Sequence, residues 1–241
     1  MNILITGGSS GLGKAIVYES AKDPNNKVYF TYRCHKVQAE EIEAKYSNTS
    51  ALLCDFSCSD SINELLNLIP SMELDAIVNN AYAGAVEGKH FHKTEAKDFL
   101  ESFGINIIPT IKITQKVLET FRKRKHGKII TILTAYLLNQ PPIGYSLYTA
   151  NKAYLAQLAK TWSKEYIKYG ITSNCVSPNF MQTELTKETN ELMIEQMISQ
   201  HPLKKLLTVE EVALTISFLL NSSNQINGVN IPLNAGINII Q

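Results

Sequence analysis

Apolar residues in this chain follow two rhythms. Short β-type runs, most of them nearly continuous in apolar residues, cover positions 2–6, 27–32, 51–55, 76–79, 128–133 and 171–176. Between them lie longer stretches with helical spacing, the first passing through Lys14-Ala15-Ile16-Val17. A strand that is apolar at every position must be covered on both faces, which predicts a parallel sheet with its crossover helices packed on either side. Right-handed crossovers make that sheet doubly wound. No repeat, low-complexity tract or linker interrupts the alternation, so a single α/β domain is expected over residues 1–241.

One stretch, from about 183 to 205, leaves this rhythm. It reads as helical and carries Leu185, Leu192, Met193, Ile194, Met197 and Ile198. Two readings stand: an amphipathic helix pair packed on the core, or a lid whose adaptable methionines close over an apolar pocket.

Composition narrows the function classes. With 44% hydrophobic residues, 19% charged residues and a net charge of +1, no global field draws the chain to nucleic acid or to a membrane surface. A local basic run, Arg122-Lys123-Arg124-Lys125-His126, is either a solvated helix end or a docking patch for an acidic partner. The cysteines at 34, 54, 58 and 175 lack paired CxxC spacing and read as reduced thiols. His90 and His92 have no third ligand nearby, so no metal site is expected. Met1 leads into an apolar strand without a charged leader, and no apolar run reaches the length of a membrane span. A cytoplasmic location is the expectation.

Chemistry enters between the first strand and the first helix. There the chain reads Thr6-Gly7-Gly8-Ser9-Ser10-Gly11-Leu12-Gly13. Glycines allow a tight turn and close approach to a pyrophosphate, and the following helix offers unpaired N–H groups and a partial positive charge. This is the Rossmann-type arrangement for a dinucleotide. After the second strand, a carboxylate would take the ribose diol of NAD(H); Thr31-Tyr32-Arg33 stands there instead, with Lys36 nearby. Arg33 can clamp a 2′-phosphate with its planar fork, which favours NADP(H), or it can stack on adenine or face solvent. Asp55 is placed either to bond the adenine amino group or to cap the next helix.

Tyr148 and Lys152 lie four apart at the start of a helical stretch, on one helix face. A phenol near pKa ~10 is a poor proton donor at neutral pH unless a neighbouring cation lowers it. The same spacing at Tyr32 and Lys36 follows a strand and reads as a coincidence.

The ordered set Thr6-Gly7, Gly11, Gly13, Asp55, Asn79-Asn80-Ala81, Asn106 and Tyr148-x-x-x-Lys152 resembles the short-chain dehydrogenase/reductase family across essentially the whole chain. The segment His126-Gly127-Lys128-Ile129-Ile130-Thr131-Ile132 and the C-terminal half look most like 3-oxoacyl-(acyl carrier protein) reductases. The resemblance implies that Tyr148 donates a proton to the substrate oxygen, and that Lys152 holds the ribose hydroxyls and keeps Tyr148 acidic. It implies that Asn106 anchors a water in a relay, helped by Pro109, which removes a helical donor. Cofactor contacts are implied at Gly7, Ser9, Ser10, Gly11, Leu12, Gly13, Arg33, Asp55, Phe56, Asn80, Ala81, Tyr148, Lys152, Met181 and Thr183.

Three departures reshape the pocket rim. Thr134 stands for the usual catalytic serine, with Ala135 beside it and an inserted residue expected in the loop holding Pro141-Pro142. Asn79-Asn80-Ala81 continues as Tyr82-Ala83-Gly84, displacing a glycine, and Ser177-Pro178-Asn179 replaces a Pro-Gly turn. The expected activity is NADPH-dependent reduction of a carbonyl, foremost a 3-oxoacyl thioester on a carrier protein that docks at the basic run beside the cleft. A sugar, polyol or other small-molecule dehydrogenase is the alternative within enzymes; a non-catalytic nucleotide-binding regulator or scaffold is the alternative outside them. The resemblance also implies a homotetramer, with helices around 96–124 and 148–169 at one interface and residues 226–241 at the other.

Overall fold

In the computed structural model, which describes residues 1–86 and 88–237, strands and helices alternate along the chain. The order is β1 (Asn2–Ile5), α1 (Gly11–Ala21), β2 (Lys27–Tyr32), α2 (Lys36–Lys45), β3 (Thr49–Leu53), α3 (Ser59–Leu68) and β4 (Ala76–Asn79). It continues with α4 (Ala96–Arg124), β5 (Gly127–Ile132), α5 (Ser146–Tyr166), β6 (Ile171–Pro178), α6 (Glu191–Gln200), α7 (Val209–Asn221) and β7 (Asn230–Leu233). All pairings are parallel, in the order β3-β2-β1-β4-β5-β6-β7. Strand order reverses between β1 and β4, so a crevice opens there at the carboxyl ends of the strands.

Successive strand residues point to opposite faces. Leu4, Ile77 and Ile129 pack against Leu65 of α3, Ile113 of α4 and Leu155 of α5. Ile3, Ile5 and Ile130 meet Ile16 of α1, Ile42 of α2 and Ile216 of α7 on the other side. Both layers bury their side chains almost completely, which is why the strands lack a polar alternation.

Two elements differ from the sequence expectation. β3 begins at Thr49, in register with Val28, and ends at Leu53, two residues before the predicted end at 55. The chain turns at Asp55, whose Oδ1 accepts the Ser57 N–H at 2.8 Å and the Ser57 hydroxyl at 2.7 Å. Asp55 therefore closes a turn and does not cap α3; the N-cap there is Cys58, without a side-chain bond. β7 was not expected as a strand at all. Pro232 costs it a donor, which an edge strand tolerates, and Ser177 Oγ fastens it by donating to Asn230 Oδ1 at 2.8 Å.

The segment expected as a helix pair or lid forms a short 3-10 turn at Glu184–Thr186 and then α6. None of the α6 side chains is fully buried, and Leu192 is 68% exposed. Met193, Ile194, Met197 and Ile198 are half-buried on one face and belong to neither core cluster. No helix among the described residues is long and apolar enough to cross a membrane. Residues 238–241, part of the expected second interface, lie outside the described residues.

Candidate active site

The loop after β1 is shaped by what surrounds it. Gly7 and Gly11 adopt positive φ, at 68° and 48°, where a Cβ is strained. At Gly13 a Cβ would stand 1.9 Å from the Gly7 carbonyl oxygen and 2.8 Å from Asn80 Nδ2. The backbone here is a cradle that one methyl group would fill. Ser10 caps α1 without using its side chain, so the first N–H groups of the helix point to whatever occupies the crevice. A dinucleotide pyrophosphate fits this donor set.

Cross-strand bonds hold the cradle open. Gly7 N–H donates to Thr31 Oγ1 and Gly8 N–H to the Thr31 carbonyl, each at 2.8 Å. Asn80 Nδ2 donates to the carbonyls of Thr6 (2.9 Å) and Gly7 (3.1 Å). In return Thr6 Oγ1 accepts the N–H groups of Asn80 and Ala81, both at 3.0 Å. Thr6 and Asn80 thus tie β1 to β4 at the switch point.

From the cradle the cleft runs two ways. Ser9, Ser10, Gly11, Leu12 and Gly13 form its floor, and Arg33, Cys54 and Phe56 line the end next to β2 and β3. Arg33 is exposed there, while Lys36 turns to Glu40 at 3.7 Å. Asp55 does not line the cleft; its neighbours Cys54 and Phe56 do. In the other direction Asn80, Ala81, Thr134, Tyr148, Lys152, Met181 and Thr183 line the wall. Thr183 lies directly over the glycine loop, its Cβ 3.2 Å from where a Cβ on Gly11 would be.

Tyr148 and Lys152 enter from the first turns of α5 and are buried. The Thr134 hydroxyl bonds the Tyr148 phenol and pulls its pKa down, but burial dominates and pushes it well above the usual phenol value. Thr134, with Oγ1 also accepting the Tyr136 N–H at 3.3 Å, is therefore the hydroxyl that faces Tyr148 at the cleft. Lys152 Nζ donates to the Ile132 carbonyl at 2.8 Å and stands 5.7 Å from the Tyr148 ring centroid. Burial draws the Lys152 ammonium down to about 8. The expected depression of the Tyr148 phenol by Lys152 is not met: Nζ is directed to the Ile132 carbonyl, and burial is the largest influence on the phenol.

Asn106 does not line the cleft. Its Oδ1 accepts the Ala83 N–H at 2.7 Å, and its Nδ2 donates to the carbonyls of Ala83 (3.1 Å) and Ser102 (3.0 Å). Its own carbonyl accepts the Thr110 hydroxyl at 2.8 Å. The visible task of Asn106 is to hold the loop after β4 against α4.

Sequence reasoning missed the aromatic wall. Tyr82 meets Tyr148 edge-on with centroids 5.0 Å apart, and Tyr145 meets it at 6.3 Å. Tyr136 packs on Tyr145 at 5.3 Å, its phenol pushed up to about 12 by burial. Phe180 and Leu185 complete the apolar side. A signal existed for Tyr145, the N-cap of α5, which precedes Tyr148 by three; the others sit on loops or single 3-10 turns, where periodicity says nothing. Thr186 was also missed: its Oγ1 takes the Thr183 N–H at 2.9 Å and donates to the Met181 carbonyl at 2.7 Å, knotting the loop over the cradle.

The basic run is not beside the cleft. It ends α4 and directly precedes β5, whereas the cleft lies at the other end of β5, roughly 20 Å away at strand rise. Arg124 pairs with Asp75 at 2.8 Å, and the Arg122 guanidinium lies 5.1 Å from the Tyr169 ring centroid.

Comparison with known proteins places this geometry. The model of the short chain dehydrogenases matches residues 1–193. The 3-oxoacyl-[acyl-carrier-protein] reductase of Staphylococcus epidermidis is 29% identical over 241 aligned residues, covering 97% of each chain. Among solved structures, ElxO with NADP bound is similar at a TM-score of 0.86 and 30% identity, covering 98% of this chain and 97% of its own. The 3-ketoacyl-(acyl-carrier-protein) reductase from Brucella melitensis, complexed with NADH, shares the fold at a TM-score of 0.87, with 22% identity over 99% of this chain and 98% of its own.

Proposed function

The chain belongs to the short chain dehydrogenase family, NAD(P)-dependent oxidoreductases of CH–OH groups and their carbonyls, and we propose that it reduces a 3-oxoacyl thioester with NADPH. The observation that carries this reading is the Thr134–Tyr148 pair at the end of a dinucleotide cradle. Bound there, the dinucleotide supplies hydride. Thr134 orients the substrate carbonyl oxygen, and Tyr148 gives that oxygen its proton. Burial keeps the Tyr148 phenol protonated through the neutral range, which is the form a reductase needs. The Lys152 ammonium holds the ribose hydroxyls, and Asn106 sets the loop that carries Tyr82 and Ala83.

The aromatic wall of Tyr82, Tyr136, Tyr145 and Phe180 supports an acyl substrate over a polyol, since ring faces and edges make up much of that side of the cleft. The relatives named as carrier-protein reductases support the thioester class. A homotetramer in the cytoplasm is part of this reading; exposed Leu100 and Ile108 on α4 and Leu214 and Phe218 on α7 are apolar surface that such assembly would cover.

Turnover of acetoacetyl thioesters, sugars and polyols with NADPH and with NADH tests the proposal. Thioester reduction with NADPH is expected. Turnover of polyols alone replaces the substrate class, and NADPH binding without any turnover converts the chain to a nucleotide-binding scaffold.

Arg33 supports NADPH as the electron source. Removing a charge-assisted clamp loses roughly 1.5–3 kcal/mol, or about a ten- to hundredfold affinity change. Arg33→Ser is therefore expected to raise the KM for NADPH by that factor and leave the KM for NADH nearly unchanged. Equal effects on both cofactors would show that no 2′-phosphate is read at this position.

A further inference from the structure

Lys152 is a buried ammonium with an unusual set of neighbours. The Ile132 carbonyl of β5 accepts its proton at 2.8 Å. From β6 the Cys175 thiol faces it, pushed up to about 12 by burial and hence neutral. On its own helix stands the Tyr148 ring, with the centroid 5.7 Å from Nζ. From the loop after β4 comes the Tyr82 ring, with the centroid nearer still, at 5.3 Å. No carboxylate acts on it among the described residues. A buried cation without a counter-ion loses its charge unless something else favours it, and an aromatic face does so electrostatically.

Tyr82 itself is anchored from two helices. Its hydroxyl bonds the side chains of Ser102 on α4 and Asn151 on α5, and Asn151 Nδ2 donates to Ser102 Oγ at 2.8 Å. The next residue, Ala83, is clamped by Asn106. The ring is thereby fixed with Tyr148 edge-on to it, at an interplanar angle of 81°, and Lys152 above it. This is the position at which the Asn79-Asn80-Ala81 motif departs from a glycine.

We propose that Tyr82 is a positioning residue for the reduction: its ring holds the Lys152 ammonium and braces the Tyr148 ring, and its hydroxyl tether to Ser102 and Asn151 fixes both. The proposal rests on the reductase reading for its catalytic meaning, but not for its physical test. The working form of Lys152 is the cation, so function is present below its midpoint and lost as pH rises through it.

The test compares Tyr82→Leu, Tyr82→Phe and pentafluorophenylalanine incorporated at position 82. The last keeps the ring shape while reversing its quadrupole, so it answers the question even if the leucine variant fails to fold. The Lys152 titration is followed in ligand-free protein by NMR of 13C-labelled lysine, assigned with Lys152→Met. A downward shift of roughly one pH unit is expected for the leucine and fluorinated variants, with Tyr82→Phe, which keeps the ring face and loses only the tether, shifting by clearly less. NADPH affinity and kcat should then fall selectively on the alkaline side of the new midpoint. Unchanged titration in the fluorinated variant overturns the proposal, as does a loss of kcat that is uniform across pH. If the parent protein turns over no carbonyl, the reductase reading fails, while the ligand-free titration still decides the role of Tyr82.

Discussion

Tyr148→Phe is expected to lower kcat about a hundred- to ten-thousandfold, the usual worth of a positioned proton donor. NADPH binding, read by cofactor fluorescence, is expected to persist, because the ring keeps its edge contacts with Tyr82 and Tyr145. Folding should hold as well: among the described residues the hydroxyl lost bonds Thr134, which keeps its Tyr136 N–H. The separation matters. A dead variant that still binds NADPH assigns the proton transfer to one oxygen atom, whereas a variant retaining most of its kcat removes Tyr148 from the mechanism.

The second large effect is expected from a single methyl group. In Gly13→Ala the new Cβ would lie 1.9 Å from the Gly7 carbonyl oxygen. That atom is backbone and cannot rotate aside. It is also an acceptor for Asn80 Nδ2 at 3.1 Å, so displacing it loosens the tie between β1 and β4. The first turn of α1 must swing away from the loop, at a cost of about 1–3 kcal/mol in overpacking. A cradle displaced at a cost of about 3 kcal/mol loses roughly a hundredfold in affinity. Calorimetric titration with NADPH and thermal unfolding check the two effects separately. Gly104→Ala is the contrast: a Cβ there meets nothing within 4 Å, and a helical alanine is expected to add about 0.5–1 kcal/mol of stability. Parental NADPH affinity in Gly13→Ala would show that the cradle is not the binding site.

What could be read in advance followed from local chemistry. Strands buried on both faces tend to read as near-continuous apolar runs, and six of the seven were placed from β-type runs such as Ile3-Leu4-Ile5 and Ile129-Ile130, β6 among them despite its buried Thr172, Ser173 and Asn174. β7 escaped because its four residues are only half-buried and include Pro232. The glycine cradle and the Tyr148–Lys152 face are set by short-range geometry and were legible for that reason. Asp55 was ambiguous because a turn and a helix cap both use a carboxylate bonded to an N–H a few residues on. The Tyr148 shift could not be read at all: it comes first from burial, and the rings packed around the phenol arrive from the loop after β4 (Tyr82) and from the β5–α5 connection (Tyr136 and Tyr145). The position of the basic run was readable and misjudged, since a run that directly precedes β5 must lie at the strand's amino end.

The clamp on Ala83 has a consequence for what position 106 can hold. Asn106 offers that peptide one acceptor and one donor at once, as a neighbouring strand would. An aspartate would lose the donor and bring a charge into a buried place, and a leucine would leave both peptide groups unpaired. Only an amide of this length satisfies the loop, so the shape of the cleft wall on the loop after β4 depends on a helix residue that does not itself line the cleft. New specificities can accumulate on the loop as long as this one surrogate strand is kept.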